Sequence, residues 1–417
     1  MKVLHVVPNY YPSVGGTQLL FQGVSENMVS LYHDEVSVLT INSYYSSHSK
    51  DFRVVEKAED VVNGVKVQRY PFYRWHLPLF RWANKLSIRV RKKGSELLHK
   101  YIAGPWSPDL VKALATADAE VIAASSCGYM YMLYPLFRHK LKHPKPFVFM
   151  GAVHFYDDER IVPITRKALQ AIRQSEAYIA NTAYEKQRLV KLGVEEQRIH
   201  VVGCAVDMQQ FANGNGNAIR QQLGLNPDDM LMGYIGRLEA NKNVQLLIDA
   251  FEKALQQNNQ LHLVLAGFES TYIKQVSAVI QQNDLLKNKV HFQYNLSEQA
   301  KVNLYHALDV YVLPSSNESF GIVFLEAWSC RKPVIGMGIG AISSVVTDGV
   351  DGLLAKPGNA DCLCQQMITL AGNKSLRSQM GEAGYHKTAT HYTWQVVTAK
   401  YRQVYQQAII SFSSNKP

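Results

Sequence analysis

Short β-branched, apolar runs alternate with segments of helical period along nearly all of this 417-residue chain. That alternation leaves few folds open. Parallel strands need long crossovers between them, so strand, helix, strand in repetition builds a parallel sheet wrapped by helices. In the first half the predicted strands are KVLHVVP, EVSVLTI, VKVQRYP, AEVIAAS, PFVFMGA and AYIAN, with helices expected near residues 17–32, 79–100, 129–139, 160–173 and 183–192. The rhythm restarts with LMGYIG at 231–236 and runs on through LHLVLAG, KVHFQ, DVYVLP, PVIGM and DGLLA. The expected fold class is α/β, with two facing, doubly wound, Rossmann-like domains.

A chain of this length exceeds what one core usually supports, which agrees with two domains. Between the two series of strands lies QQFANGNGNAIRQQLGL, whose Gly and Asn cluster is the best candidate for a linker. The expected division is a first domain over 1–207, a second over 208–390, and a carboxy-terminal helix and tail over 391–417. In that tail Trp394, Val397, Tyr401 and Tyr405 recur on one helical face and could pack back on the first domain. The final SFSSNKP reads as disordered.

Composition removes several classes of protein. Nearly half of the residues are apolar and 19% are charged, unlike a disordered chain. Five cysteines without C-x-x-C spacing speak against disulfide scaffolding and structural zinc. Met1 leads straight into a strand too short for a signal-peptide core, and no apolar run reaches the roughly 18 residues of a membrane span. A cytoplasmic location is therefore expected.

Charge is uneven. Residues 1–200 hold 27 Lys and Arg against 18 Asp and Glu, a net of +9, whereas the other 217 hold 17 against 16. Within 66–100 alone there are ten basic residues and one acid, Glu96, which accounts for the whole excess.

Doubly wound sheets bind ligands at the carboxyl ends of their strands. At one such end stands ESFGIVFLE, residues 318–326, between the strand DVYVLP and a buried-type helix. Glu318 falls in the loop and Glu326 within the helix, so both can look toward the strand end. A carboxylate can accept hydrogen bonds from two vicinal hydroxyls of a ribose or sugar ring. Between the acids, the amides of Gly321, Ile322 and Val323 open a helix and lack intrahelical partners, a setting that favours phosphate. These are the parts of a nucleotide-sugar site.

The segment resembles the E-x7-E signature of the retaining glycosyltransferases of family 4, which have the GT-B architecture of two Rossmann-like domains. Further stretches agree. The strand YIG runs into GRLEANKN, where Gly236, Arg237 and Lys242 match a G-R-L-x-x-x-K pattern; PNYYPSVGGTQ matches the family's Gly-Gly loop; and His154 in MGAVHFYDD stands where the family places a site histidine. The resemblance spans about residues 1–410.

It implies a donor set of Gly15, Gly16, Gly236, Arg237, Lys242, Glu318, Phe320, Gly321, Ile322, Val323 and Glu326, with His154, Arg237, Lys242 and Glu318 at the chemistry. Glu318 would orient the transferred sugar and Glu326 hold the ribose, while His154 would contact the sugar or its developing charge. Arg237, Lys242 and the helix amides would stabilise the departing diphosphate, with retention of anomeric configuration. No D-x-D metal loop is evident, and Asp157-Asp158 lacks a coordinating set. No metal or cofactor is expected, since the nucleotide sugar is a substrate.

Plainer readings exist for each residue. Arg237 and Lys242 could be solvated cations, Gly15 and Gly16 a turn before a helix capped by Thr17, and His154 a satisfied buried histidine. Two positions depart from the family: Cys204-Ala205-Val206-Asp207 replaces an Asn-Gly-Val-Asp turn, and Ser344 stands where a Glu precedes VVTDG. An epimerase of the same architecture, or a non-catalytic nucleotide-sugar binder, would share most of these features. A nicotinamide oxidoreductase would need more than the GIG at 338–340.

The basic segment bears on the acceptor, expected to be a lipid-linked or polysaccharide precursor. Leu79, Trp82, Leu86 and Val90 fall on one helical face, and Arg81, Lys85, Arg89 and Lys92 on another, the pattern of a helix lying in an anionic membrane surface at the inner face of the membrane. The competing reading is a helix covering its own sheet with a solvated basic side. Nucleic acid is a weaker partner, since no recognition motif accompanies the charge.

Overall fold

The computed structural model describes residues 1–46, 49–73, 75, 77–91, 107–125, 142, 144–151, 153, 155 and 166–414. The chain divides into two compact units: Met1–Gly203 together with Trp394–Pro417, and Cys204–Thr393.

The first unit contains β1 (Lys2–Val6), β2 (Glu35–Ile41), β3 (Ser43–Ser46), β4 (Ser49–Val54), β5 (Glu59–Val62), β6 (Val65–Tyr70), β7 (Val121–Ser125), β8 (Phe147–Met150), β9 (Ala177–Ala180) and β10 (Ile199–Val201). Its main sheet has the order β10-β9-β8-β7-β1-β2-β6-β5. Every pairing in it is parallel except β5 with β6. All six expected strands are present. Strands β7, β8 and β9 are buried along their whole length, as a sheet covered on both faces requires.

Four further strands escaped the sequence pattern. The β5–β6 hairpin turns at Asn63-Gly64, both with positive φ (49° and 84°), a turn chemistry that NG announces; the acidic EDVV before it hid the strand. Strand β10 has three residues. Strands β3 and β4 form a separate antiparallel pair rich in Ser and Tyr.

The helix Trp394–Ser414 belongs to this unit and packs on α1 (Gly16–Tyr32). Its Val397, Tyr401 and Tyr405 are fully buried. Trp394 lies over Gly23, where a β-carbon would sit 2.1 Å from the indole ring, so glycine permits this close approach. Arg402 Nε donates to Asp34 Oδ2 at 2.8 Å. Buried His5, in β1, links to the same helix through Tyr405.

The second unit holds β11 (Met230–Ile235), β12 (Leu261–Gly267), β13 (Val290–Tyr294), β14 (Val310–Leu313), β15 (Val334–Met337) and β16 (Gly352–Ala355), in the order β13-β12-β11-β14-β15-β16. All are parallel. The strand order reverses between β11 and β14, which defines a topological switch point.

The Gly- and Asn-rich stretch belongs to this unit. Asn215 caps a helix over Gly216–Gln222 by accepting from Ala218 N at 3.0 Å. Gly214 and Gly216 lie so close to His306 that β-carbons there would fall 2.2 and 2.6 Å from it. These glycines serve packing, and the division between units falls at Gly203/Cys204.

The segments that carry the two departures from the family motif are held by bonds at neighbouring residues. Val206 N donates to Tyr392 O at 2.9 Å. Beyond Ser344, buried Asp351 accepts from Thr347 N at 2.9 Å and from Lys387 Nζ at 2.7 Å.

Candidate active site at the switch point of the second sheet

Strands β11 and β14 are hydrogen-bonded neighbours, so the loops leaving their carboxyl ends are brought side by side. The first begins at Gly236, whose N donates to Ala266 O at 2.9 Å. A β-carbon at Gly267, closing β12, would lie 2.0 Å from Gly236 O, so this corner of the sheet is packed backbone on backbone. Buried Tyr234 steadies the loop, its hydroxyl donating to Arg237 O at 2.7 Å. Burial first, and then nearby Glu318, push its pKa upward, which keeps it a donor.

Lys242 closes the short turn Ala240–Lys242 and donates to Glu318 Oε1, in the loop after β14, at 2.6 Å. The two side chains are only 12% and 15% exposed. Asn243 follows in a left-handed conformation (φ 55°) and reaches across to Pro314 O at 3.3 Å and Ser316 Oγ at 3.2 Å. Tyr311 OH donates to Ile235 O at 3.1 Å. Lys242 and Asn243 thus bind the two loops into one surface, and Tyr311 ties the strands beneath them.

Gly321 initiates the helix Ile322–Ser329 with φ 93°, a conformation in which a β-carbon would also lie 2.8 Å from the Phe324 ring. No side chain caps this helix, so its opening amides stay available. Phe320 is buried edge-on against Tyr392, with ring centroids 5.5 Å apart. Glu326 lies one turn further on. Its Oε1 accepts from Lys301 Nζ at 3.2 Å and its Oε2 from Tyr305 OH at 2.7 Å. Lys301 and Tyr305 sit on the helix Glu298–Ala307.

The structure therefore brings Lys242, Glu318 and the Gly321–Val323 amides to one sheet edge. Arg237 is anchored on that edge by its backbone, but its half-exposed side chain pairs with Glu239 at 3.1 Å. Exposed pairs of this kind are worth about 0–1 kcal/mol, so the guanidinium is cheaply recruited by a ligand. Glu326 is turned to Lys301 and Tyr305 and makes no contact with Lys242. Asn243, Tyr234, Lys301 and Tyr305 were missed from sequence. Asn243 alone had a local signal, an Asn directly ahead of a helical pattern.

In the first unit, Gly15 and Gly16 follow β1. The helix begins at Gly16, and Leu19 N bonds to Gly15 O at 2.9 Å, so the cap is Gly15 and Thr17 lies inside the first turn. Gly15 is extended (φ 176°), which any residue could adopt. His154 and Lys92 lie outside the described residues, as do Asp157 and Asp158. Arg81, Trp82, Lys85 and Arg89 lie on α2 (Leu77–Arg91) and are exposed. So are Leu79, Leu86 and Val90, the last to 73%, while Trp82 reaches 63%. Among the described residues no helix is long and apolar enough to cross a membrane.

Two parallel-sheet, Rossmann-like units with helices make this a GT-B fold. Solved structures agree: the protein HepE from Anabaena in complex with UDP aligns with a TM-score of 0.70 at 17% identity, covering 97% of this chain and 99% of that one. A UDP-forming α,α-trehalose-phosphate synthase from Burkholderia xenovorans, in complex with glucose-6-phosphate, aligns at 0.74 and 11%, covering 97% and 100%. At these identities the likeness concerns the fold.

Two family models then cover the sequence, glycosyltransferase family 4 over residues 14–210 and glycosyl transferases group 1 over 216–387. The chain belongs to the glycosyltransferases of the family 4 type, a family of enzymes. Relatives named D-inositol 3-phosphate glycosyltransferase include one from Geodermatophilus obscurus, 33% identical over 241 residues (54% of this chain, 51% of the relative). Another, from Kribbella flavida, is 28% identical over 247 residues (57% and 58%). The chain spans about half the length of the curated relatives it matches.

Proposed function

We propose that this protein is a retaining glycosyltransferase that moves a sugar from a nucleotide-diphosphate sugar to a hydroxyl of a lipid-linked or polysaccharide precursor. The observation that carries this reading is the Lys242–Glu318 pair, a shielded cation and carboxylate at the switch point of the second sheet, 2.6 Å apart beside an uncapped helix start. Such an edge can hold a diphosphate on Lys242, Arg237 and the helix amides, and a sugar on Glu318.

In this reading the second unit binds donor and the first binds acceptor. Cleavage of the bond from the anomeric carbon leaves its electron pair on the diphosphate oxygen, where fixed donors stabilise the charge. The acceptor hydroxyl forms the new bond on the face the diphosphate vacates, and its proton passes to the departing diphosphate oxygen. Glu326 accepts from the ribose. His154 acts at the reacting sugar, and the Gly15-Gly16 loop allows close approach of donor and acceptor. The positive charge comes from the chain's own groups, so chelators are expected to leave turnover unchanged.

The exposed apolar and basic faces of α2 add a reversible attachment to anionic lipid. Each Lys or Arg near such a surface contributes about 1 kcal/mol, and Trp82 and Val90 supply the apolar insertion.

The test is incubation of the purified protein with UDP-, GDP- and ADP-sugars, first alone and then with lipid extract or polysaccharide precursor. Transfer that appears only with acceptor and preserves anomeric configuration by NMR supports the proposal. Conversion of donor alone would make the protein an epimerase, and binding without turnover a binding protein.

A further inference from the structure

Glu326 is the best-braced acidic side chain near the proposed donor site. Lys301 and Tyr305 are four residues apart on one helix and so share a face. Each donates to a different oxygen of the carboxylate, at 3.2 and 2.7 Å. Lys301 is itself fixed, since it also binds Glu298 Oε2 at 2.9 Å and lies 5.6 Å from the centroid of the Phe211 ring. Tyr305 is fully buried against Phe211 and Tyr311. Burial, reinforced by Glu326, raises its pKa far above the ordinary phenol, so it always donates. Burial lowers the Lys301 pKa, but Glu326 and Glu298 outweigh it and leave the ammonium charged.

Two donors on two oxygens stop the carboxylate from rotating. A carboxylate offers about four lone-pair positions, so one remains open on each oxygen. Two open positions in a fixed plane match two neighbouring hydroxyls and fit a single hydroxyl poorly. We propose that Lys301 and Tyr305 are positioning residues that lock Glu326 as a reader of the ribose cis-diol, and so set the preference for ribonucleotide donors. This rests on the reading of Glu326 as the ribose contact.

The experiment measures calorimetric affinity for UDP, GDP and ADP, then compares the tightest binder with its 2′,3′-dideoxy counterpart. Sites built to bond a hydroxyl can reject analogues lacking it by as much as about 10⁴-fold, so a wild-type preference of at least ~100-fold is expected. Tyr305→Phe, which keeps the ring, and Lys301→Met should each narrow that ratio to ~10-fold or less, chiefly by weakening the ribonucleotide. Lys301→Arg should restore it. Variants that keep the wild-type ratio, or weaken both ligands equally, would overturn the proposal, as would a wild type with no preference. A wild type that binds no nucleoside diphosphate would instead overturn the donor-site reading itself.

Discussion

His5 offers a test of how the helix Trp394–Ser414 is joined to the first sheet. Ser25 OH donates to Phe21 O at 2.6 Å, so its oxygen accepts from His5 Nδ1–H at 2.7 Å; Nε2 is then left bare to accept from Tyr405 OH at 3.0 Å. The ring is fully buried and neutral, and burial pulls its pKa from 6.5 down to about 3. Because the unfolded chain holds this proton more tightly, stability is complete above pH 6.5 and is lost as pH falls toward 3. The slope reaches about 1.4 kcal/mol per pH unit only below pH 6.5, so His5 should cost roughly 2 kcal/mol between pH 6.5 and 4.5. Substitution by Phe removes the titration and orphans little, since Ser25 keeps Phe21 O and the Tyr405 hydroxyl can redirect its proton to Met150 Sδ, 3.7 Å away. Urea melts of wild type and His5→Phe across this range give the difference directly. Other acid-sensitive groups, among them His262 of the second unit, lowered to about 4 by burial, cancel in that difference. The gap between the two proteins should shift by about 2 kcal/mol in favour of the variant on acidification. Parallel curves would mean that His5 is not held neutral beneath this helix.

Other outcomes follow from the same structure. Lys242→Ala should lower transfer turnover by about 10²–10³, as loss of one fixed donor does in comparable sites, measured by release of nucleoside diphosphate. Gly321→Ala places a side chain at φ 93° and against the Phe324 ring, so the second unit should lose about 1–3 kcal/mol in a urea melt. Charge reversal at Arg81, Lys85 and Arg89 should abolish sedimentation with anionic vesicles at low salt, whereas neutral vesicles should bind neither protein.

Strands buried along nearly their whole length carry continuous apolar runs, which is why β7 to β9, β11, β12 and β14 to β16 were legible from composition and period. Strand β5 was not, because Glu59 and Asp60 are poor strand formers; its one local signal was the Asn63-Gly64 turn that joins it to β6. Lys242 and Glu318 were legible as motif positions 76 residues apart; that they touch depends on β14 pairing beside β11, a fact of strand order that no local pattern contains. Lys301 and Tyr305 were invisible for a similar reason. On their own helix they read as a solvated cation and a core aromatic, and only the packing of that helix beside Ile322–Ser329 turns them toward Glu326. The linker reading of the Gly and Asn cluster failed where flexibility and close packing share the same residues: Gly214 and Gly216 make room for His306.

The first unit takes its residues from both sides of the second in sequence, so its cover is incomplete until Trp394–Ser414 has been synthesised. When that helix emerges from the ribosome, all of Cys204–Thr393 has emerged before it. During translation the second sheet can close over its own helices while the face of α1 around Gly23 still waits for Trp394. A truncation before that helix would therefore damage the unit farther from it in sequence and leave the adjoining one intact.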